Sequence, residues 1–427
     1  MNTFPLHEKK LSSGLRTIVL PRKDVQTVTF MVLIGVGARY ETPRQAGLSH
    51  FLEHMFFKGT KNRPTTREIA EAIDNVGGDY NAFTSEEYTG FYVKVAKEHL
   101  ECGADVVSDV LLNPLFPQDE IERERGVIIE EIHMYTDAPM RHVCNIWQEA
   151  LFGKHPLGQR VDGREETVRS FNRPAFLRYT HGHYHTKNMV VVVAGNADVR
   201  KVQNLIGKLF SELPRGDETR PRSAPSRVPA RRFAHERRDH LDQTHMMVGV
   251  PGVSRTDKQR YAAALLASIL GEGMSSRLFS RVREREGLAY MVRTSLDQYV
   301  DAGSLVTQAG VRTDRADRAL ALILEEYDRI MDEKVGDEEL EKVKQMARGG
   351  LVLQLEETNN IATFAGMQEL LDSKVKVPGD IWKEVQAVTP EDIQKAAKRL
   401  LEPKRRLLAL LSPHRSTVAF EKLIIKK

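Results

Sequence analysis

The chain has 427 residues, 41% hydrophobic and 29% charged, the balance of a globular protein large enough for two or more cores. No run approaches the roughly 18 apolar residues of a membrane helix, and a formal charge of +4 without a basic face interleaved with aromatics argues against a membrane or nucleic-acid role. Two distant cysteines, Cys102 and Cys144, exclude a disulfide framework and a thiolate metal site.

Residues 1–10 (MNTFPLHEKK) lack the apolar core of a secretory signal, so cytoplasmic residence is the expectation. Residues 15–20 (LRTIVL) follow a Ser-Ser-Gly turn and read as a strand, as does the β-branched run 28–35 (VTFMVLIG). Residues 46–57 have helical spacing, with Leu48, Phe51, Leu52 and Met55 apolar. A capping box, Thr65 with Glu68, starts a helix that stops at Gly77-Gly78. Two strands follow at 79–84 and 89–95, then helices over 99–112 and from 118 to about 134, and a strand at 189–194 (MVVVVA).

From Pro214 the composition turns Pro- and Arg-rich without periodicity, which reads as an exposed linker over 214–236. The second half repeats the order of the first. A Met/Val strand (28–35; 245–250), a helix, a strand pair (80–84 with 89–95; 289–296 with 303–308) and a late apolar strand (189–194; 406–411) recur. The expectation is an α+β fold of two similar domains, 1–213 and 237–427, each an antiparallel-rich sheet covered by helices.

The densest chemistry is His50-Phe51-Leu52-Glu53-His54. Residues four apart stack on one helix face, so both imidazoles reach one ion, and Glu53 lies beside it. Imidazole and carboxylate suit Zn²⁺; three protein ligands leave a position for water, whose pKa the metal lowers to about 7. A third ligand is needed. The helix from Gln118 offers Glu120, Glu122, Glu124, Glu130 and Glu131, with Glu124 and Glu131 two turns apart on one face. Periodicity does not choose among them. His181, His183 and His185 lack a nearby carboxylate set and read as a surface turn.

The five residues from His50 to His54 are the inverted zinc motif, and their surroundings resemble the pitrilysin family, which includes insulin-degrading enzyme and the mitochondrial processing peptidase. The resemblance implies a pitrilysin-like fold and a zinc metalloendopeptidase with one Zn²⁺ per chain, held by His50, His54 and Glu131. It makes Glu53 the base and Glu124 a supporting carboxylate behind the ligands; Glu130 is the rival ligand. Residues 77–85 (GGDYNAFTS) resemble the family's substrate-binding edge strand, with Asn81, Ala82, Phe83 and Thr84 the most alike. Arg283 and Tyr290, in REREGLAY, resemble the family's arginine–tyrosine pair, placed to hold the substrate carbonyl.

At this length the chain resembles half of the large single-chain enzymes. The resemblance therefore implies a chamber closed by two chains, a homodimer or a heterodimer with a related chain, acting on peptides or unfolded polypeptide. It also implies that each zinc site meets Arg283 and Tyr290 of the other chain. The contrasting expectations are a non-catalytic partner subunit or scaffold of the same fold, and a structural metal site without turnover.

Overall fold

The computed structural model describes residues 5–217 and 223–425, so residues 1–4 of the expected signal-free terminus and 218–222 of the expected linker lie outside it. Among the described residues eleven strands run in chain order: β1 (His7–Lys10), β2 (Arg16–Pro21), β3 (Thr27–Ile34), β4 (Asp79–Thr84), β5 (Thr89–Ala96), β6 (Met189–Gly195), β7 (Phe233–Arg237), β8 (Gln243–Pro251), β9 (Ala289–Gln298), β10 (Gly303–Arg312) and β11 (Leu407–Ser412). They form a six-stranded sheet, β1-β2-β6-β3-β5-β4, and a five-stranded sheet, β7-β11-β8-β10-β9. Each has one parallel pair, β2 with β6 and β7 with β11, and is otherwise antiparallel. The second sheet reproduces the first without β1, which is the repeat read from the sequence. The fold is α+β.

The runs MVVVVA and VTFMVLI do not alternate with polar residues because β6 and β3 are buried on both faces. In β3, Val28, Phe30, Val32 and Ile34 enter one core while Met31 and Leu33 enter the other. The first core packs against helices Leu48–Phe56, Thr66–Asp74 and Leu100–Leu112. The expected capping box is present: Thr65 accepts from the Glu68 N–H and Glu68 from the Thr65 N–H. Gly77, at φ +61°, turns the chain into β4.

The two compact units are not the contiguous domains expected from sequence. One comprises residues 1–132, 159–222 and 351–380; the other comprises 133–158, 223–350 and 381–427. Helix Thr358–Asp372 belongs to the first unit, where Ile361, Ala362 and Ala365 cover Ile18, Met31, Leu33, Val190 and Val192. Helix Pro139–Phe152 belongs to the second, where Val143, Trp147 and Leu151 cover Met247, Val306, Leu407, Ala409 and Leu411. A sheet apolar on both faces needs two covering layers, and each half of the chain provides one helix to the other half's sheet. The expected linker also ends early, since β7 pairs with β11 from Phe233.

Candidate metal centre

The helix Leu48–Phe56 is anchored by Leu48, Phe51, Leu52, Met55 and Phe56, all buried in the first core, at about 1.5–3 kcal/mol each. Its N-terminus is capped from outside the helix: Glu41 accepts from the Gly47 N–H at 2.8 Å and the Ser49 N–H at 2.6 Å. Gly47 needs its φ of +92°, and a Cβ there would meet the Cα of Gly163 at 2.8 Å. With the apolar face held down, His50, Glu53 and His54 remain half-buried on the other side.

Glu131, from the helix Gln118–Asp137, reaches this face. Its Oε2 is 3.6 Å from His50 Nε2 and 3.7 Å from His54 Nε2. None of these contacts is a hydrogen bond, and Glu131 Oε2 is buried with no hydrogen-bond partner. Ligand bonds of about 2.0–2.2 Å set tetrahedral neighbours roughly 3.3–3.6 Å apart, and the two Glu131 distances lie at or just beyond the upper end of that range. Among the described residues, His50, His54 and Glu131 form the one group of three or more acidic, histidine or cysteine side chains close enough to share a metal. His181, His183 and His185 form no such group there.

Glu124 is buried behind His54. Its Oε1 is 2.8 Å from His54 Nδ1, and its Oε2 is 2.5 Å from Lys58 Nζ. A carboxylate on Nδ1 favours a proton there, which leaves Nε2, the nitrogen nearer Glu131, as the one to bind a metal. Glu130, the rival on the same helix, is exposed. Glu53 Oε2 accepts from the Thr84 hydroxyl at 2.6 Å.

Without an ion, the charges are set by burial and by one another. Burial and the neighbouring His54 lower the pKa of His50. Burial also works against charged His54, but the Glu124 hydrogen bond and the surrounding carboxylates raise it overall. Glu53 is raised by burial despite the Thr84 hydroxyl. Burial works against ionised Glu124, but His54 and Lys58 hold its pKa below the ordinary value. A divalent cation would reorder these balances in favour of neutral imidazoles and ionised carboxylates.

The first unit's sheet ends on β4, which pairs only with β5 among the described residues. Residues 17–164 match the family described as Insulinase (Peptidase family M16), and residues 170–347 match the Peptidase M16 inactive domain. An uncharacterized zinc protease of Bacillus subtilis is 36% identical over 404 residues, spanning 94% of this chain and 97% of that protein. One of Mycobacterium tuberculosis is 35% identical over 409 residues, spanning 95% and 93%. The chain belongs to peptidase family M16, the insulinase or pitrilysin family. The fold agrees: a protease from Helicobacter pylori superposes with a TM-score of 0.90 at 22% identity, covering 96% of this chain and all (100%) of that one.

The M16 resemblance named two further groups of residues. On β4, Tyr80 and Ala82 pack toward the core that holds the histidine helix, whereas Phe83 packs toward the opposite core. Phe83 lies over Gly90, where a Cβ would stand 2.2 Å from its ring. The Asn81 side chain accepts the Ala82 N–H at 2.8 Å. In the second unit, Arg283 sits on a π-helix, Phe279–Arg285, with its guanidinium carbon 4.7 Å from the Phe279 ring centre and 5.3 Å from that of Tyr290. Arg283 and Tyr290 are thus together in space, and Tyr290 is 79% exposed. Periodicity had not marked Glu41 or Lys58: a remote cap and a partner behind a carboxylate leave no pattern of their own. No helix among the described residues is long and apolar enough to cross a membrane.

Proposed function

We propose that this M16 chain is a zinc endopeptidase that hydrolyses internal bonds of peptides or unfolded polypeptide segments. The observation that carries the reading is the buried, unpartnered Glu131 Oε2 between two imidazole nitrogens, with Glu53 on the same helix face. His50, His54 and Glu131 would hold one Zn²⁺, which supplies a Lewis acid for acidifying water and polarising a peptide carbonyl. Glu124 orients His54 through Nδ1, with Lys58 on its other oxygen. Glu53 takes a proton from the attacking water and returns it to the departing amine, the work of a positioned general base and acid.

The free edge of β4 is the support for an extended substrate. Main-chain pairing with Asn81, Ala82, Phe83 and Thr84 would bind peptides with little sequence preference. Arg283 and Tyr290 would hold the substrate carbonyl as charge develops on it. A second copy of the chain, or a related one, would close the chamber.

Metal analysis of the purified chain, run beside a mass-spectrometric digest of a peptide library, tests this. One zinc per chain with internal cleavage is expected. Zinc without cleavage would make the site structural, and no zinc would make the chain a scaffold.

A further inference from the structure

The proposed mechanism uses Glu53 as a base, yet a carboxylate one residue from His54 would be drawn toward any cation its neighbours held. What holds it is on a different element. The Thr84 hydroxyl, at the end of β4, donates to Glu53 Oε2 at 2.6 Å, which leaves Oε1 to handle the proton. Thr84 also has a second role by position. It pairs with Thr89, while the next residue, Ser85, donates its N–H to the Tyr88 carbonyl. In an antiparallel ladder these alternate, so the N–H and C=O of Thr84 point away from β5, to the open edge of the sheet. The Ala82 N–H, two residues back and in the same phase, is likewise not spent on β5: it meets the Asn81 side chain.

We propose that Thr84 is a positioning residue that couples strand addition at β4 to the orientation of Glu53. Resting on the peptidase reading above, the coupling is physical. A peptide paired to the Thr84 backbone immobilises the end of β4, and the side chain of the same residue then holds the base in one rotamer. An extended chain on β4 thus braces the residue that already holds the base, and short peptides that miss the edge are poor substrates for lack of that bracing.

The test uses the full chain with zinc bound and a fluorogenic peptide taken from the library digest. Thr84→Val keeps the shape and the β-branch but removes the donor. It should lower kcat about 10- to 100-fold, the scale of a misplaced catalytic group. KM, zinc content and the Kd of an uncleaved N-methylated competitor, read by anisotropy, should stay within about threefold of wild type. Thr84→Ser, which restores the hydroxyl, should recover most of the lost kcat. If Thr84→Val does not fold, Thr84→Ala compared with Thr84→Ser gives the same contrast. Wild-type kcat in the valine variant, a loss confined to KM and Kd, or a serine variant no better than valine would each overturn the proposal. A wild-type chain that binds zinc and cleaves nothing would instead overturn the peptidase reading on which it rests.

Discussion

His54 Nδ1 and Glu124 Oε1 stand 2.8 Å apart, and this one hydrogen bond decides which ring nitrogen faces Glu131. Glu124→Gln keeps an acceptor but loses the charge, and its amide NH₂ then confronts the Lys58 ammonium. Zinc affinity should fall about 10- to 100-fold, measured by competition with a chromophoric chelator. An unchanged affinity would mean that Glu124 serves packing alone.

Removing the base and removing a ligand should separate cleanly. Glu53→Gln should retain about one zinc per chain and lose nearly all turnover, because a neutral amide does not accept the water's proton. His54→Ala should lose metal and turnover together. Glu131→Gln should lose zinc, whereas Glu130→Gln, at an exposed position, should keep it. The reverse result for the two glutamates would move the ligand to Glu130.

Strand addition makes a prediction about substrates rather than residues. Peptides N-methylated at alternate positions around the scissile bond lose main-chain donors, each worth about 0.5–1.5 kcal/mol. One methylation phase should weaken binding several-fold and the other much less, since alternate residues face the edge of β4. Equal kinetics in both phases would count against pairing along residues 79–84.

The cap of the histidine helix carries a pH signature. Burial raises Glu41 from 4.5 to about 7 despite the Ser49 and Gly47 N–H groups that bond it. A carboxyl raised in the fold favours the protonated form, so its stabilising contribution is complete below 4.5 and is lost as pH rises through about 7. The shift corresponds to about 3 kcal/mol. Thermal unfolding of zinc-free protein should therefore show a steeper fall in Tm over that window for wild type than for Glu41→Gln, whatever the absolute loss in the variant. Parallel curves would show that the two N–H bonds hold Glu41 ionised.

The final prediction concerns a shared site. If each zinc site meets Arg283 of the partner subunit, mixing Glu53→Gln chains with Arg283→Ala chains should restore activity, because one of the two mixed sites is intact. Subunit exchange without recovery would place both groups in one chain.

The sequence by itself determined many of the elements and the placing of two histidines on one helix face. The i, i+4 histidines, the Thr65 capping box and the twofold recurrence of strand order are local or periodic signals, and each survives in the structure. Only the tertiary structure separated the acids of the helix Gln118–Asp137. Glu124 and Glu131 share a helix face, so periodicity treats them alike, but two turns are about 10 Å of axial rise. That rise puts Glu131 level with the Nε2 atoms and Glu124 behind Nδ1. The exchange of helices Pro139–Phe152 and Thr358–Asp372 between the two halves of the chain was likewise invisible along the sequence. An amphipathic helix states that it has an apolar face, and which sheet covers that face depends on contacts made hundreds of residues away.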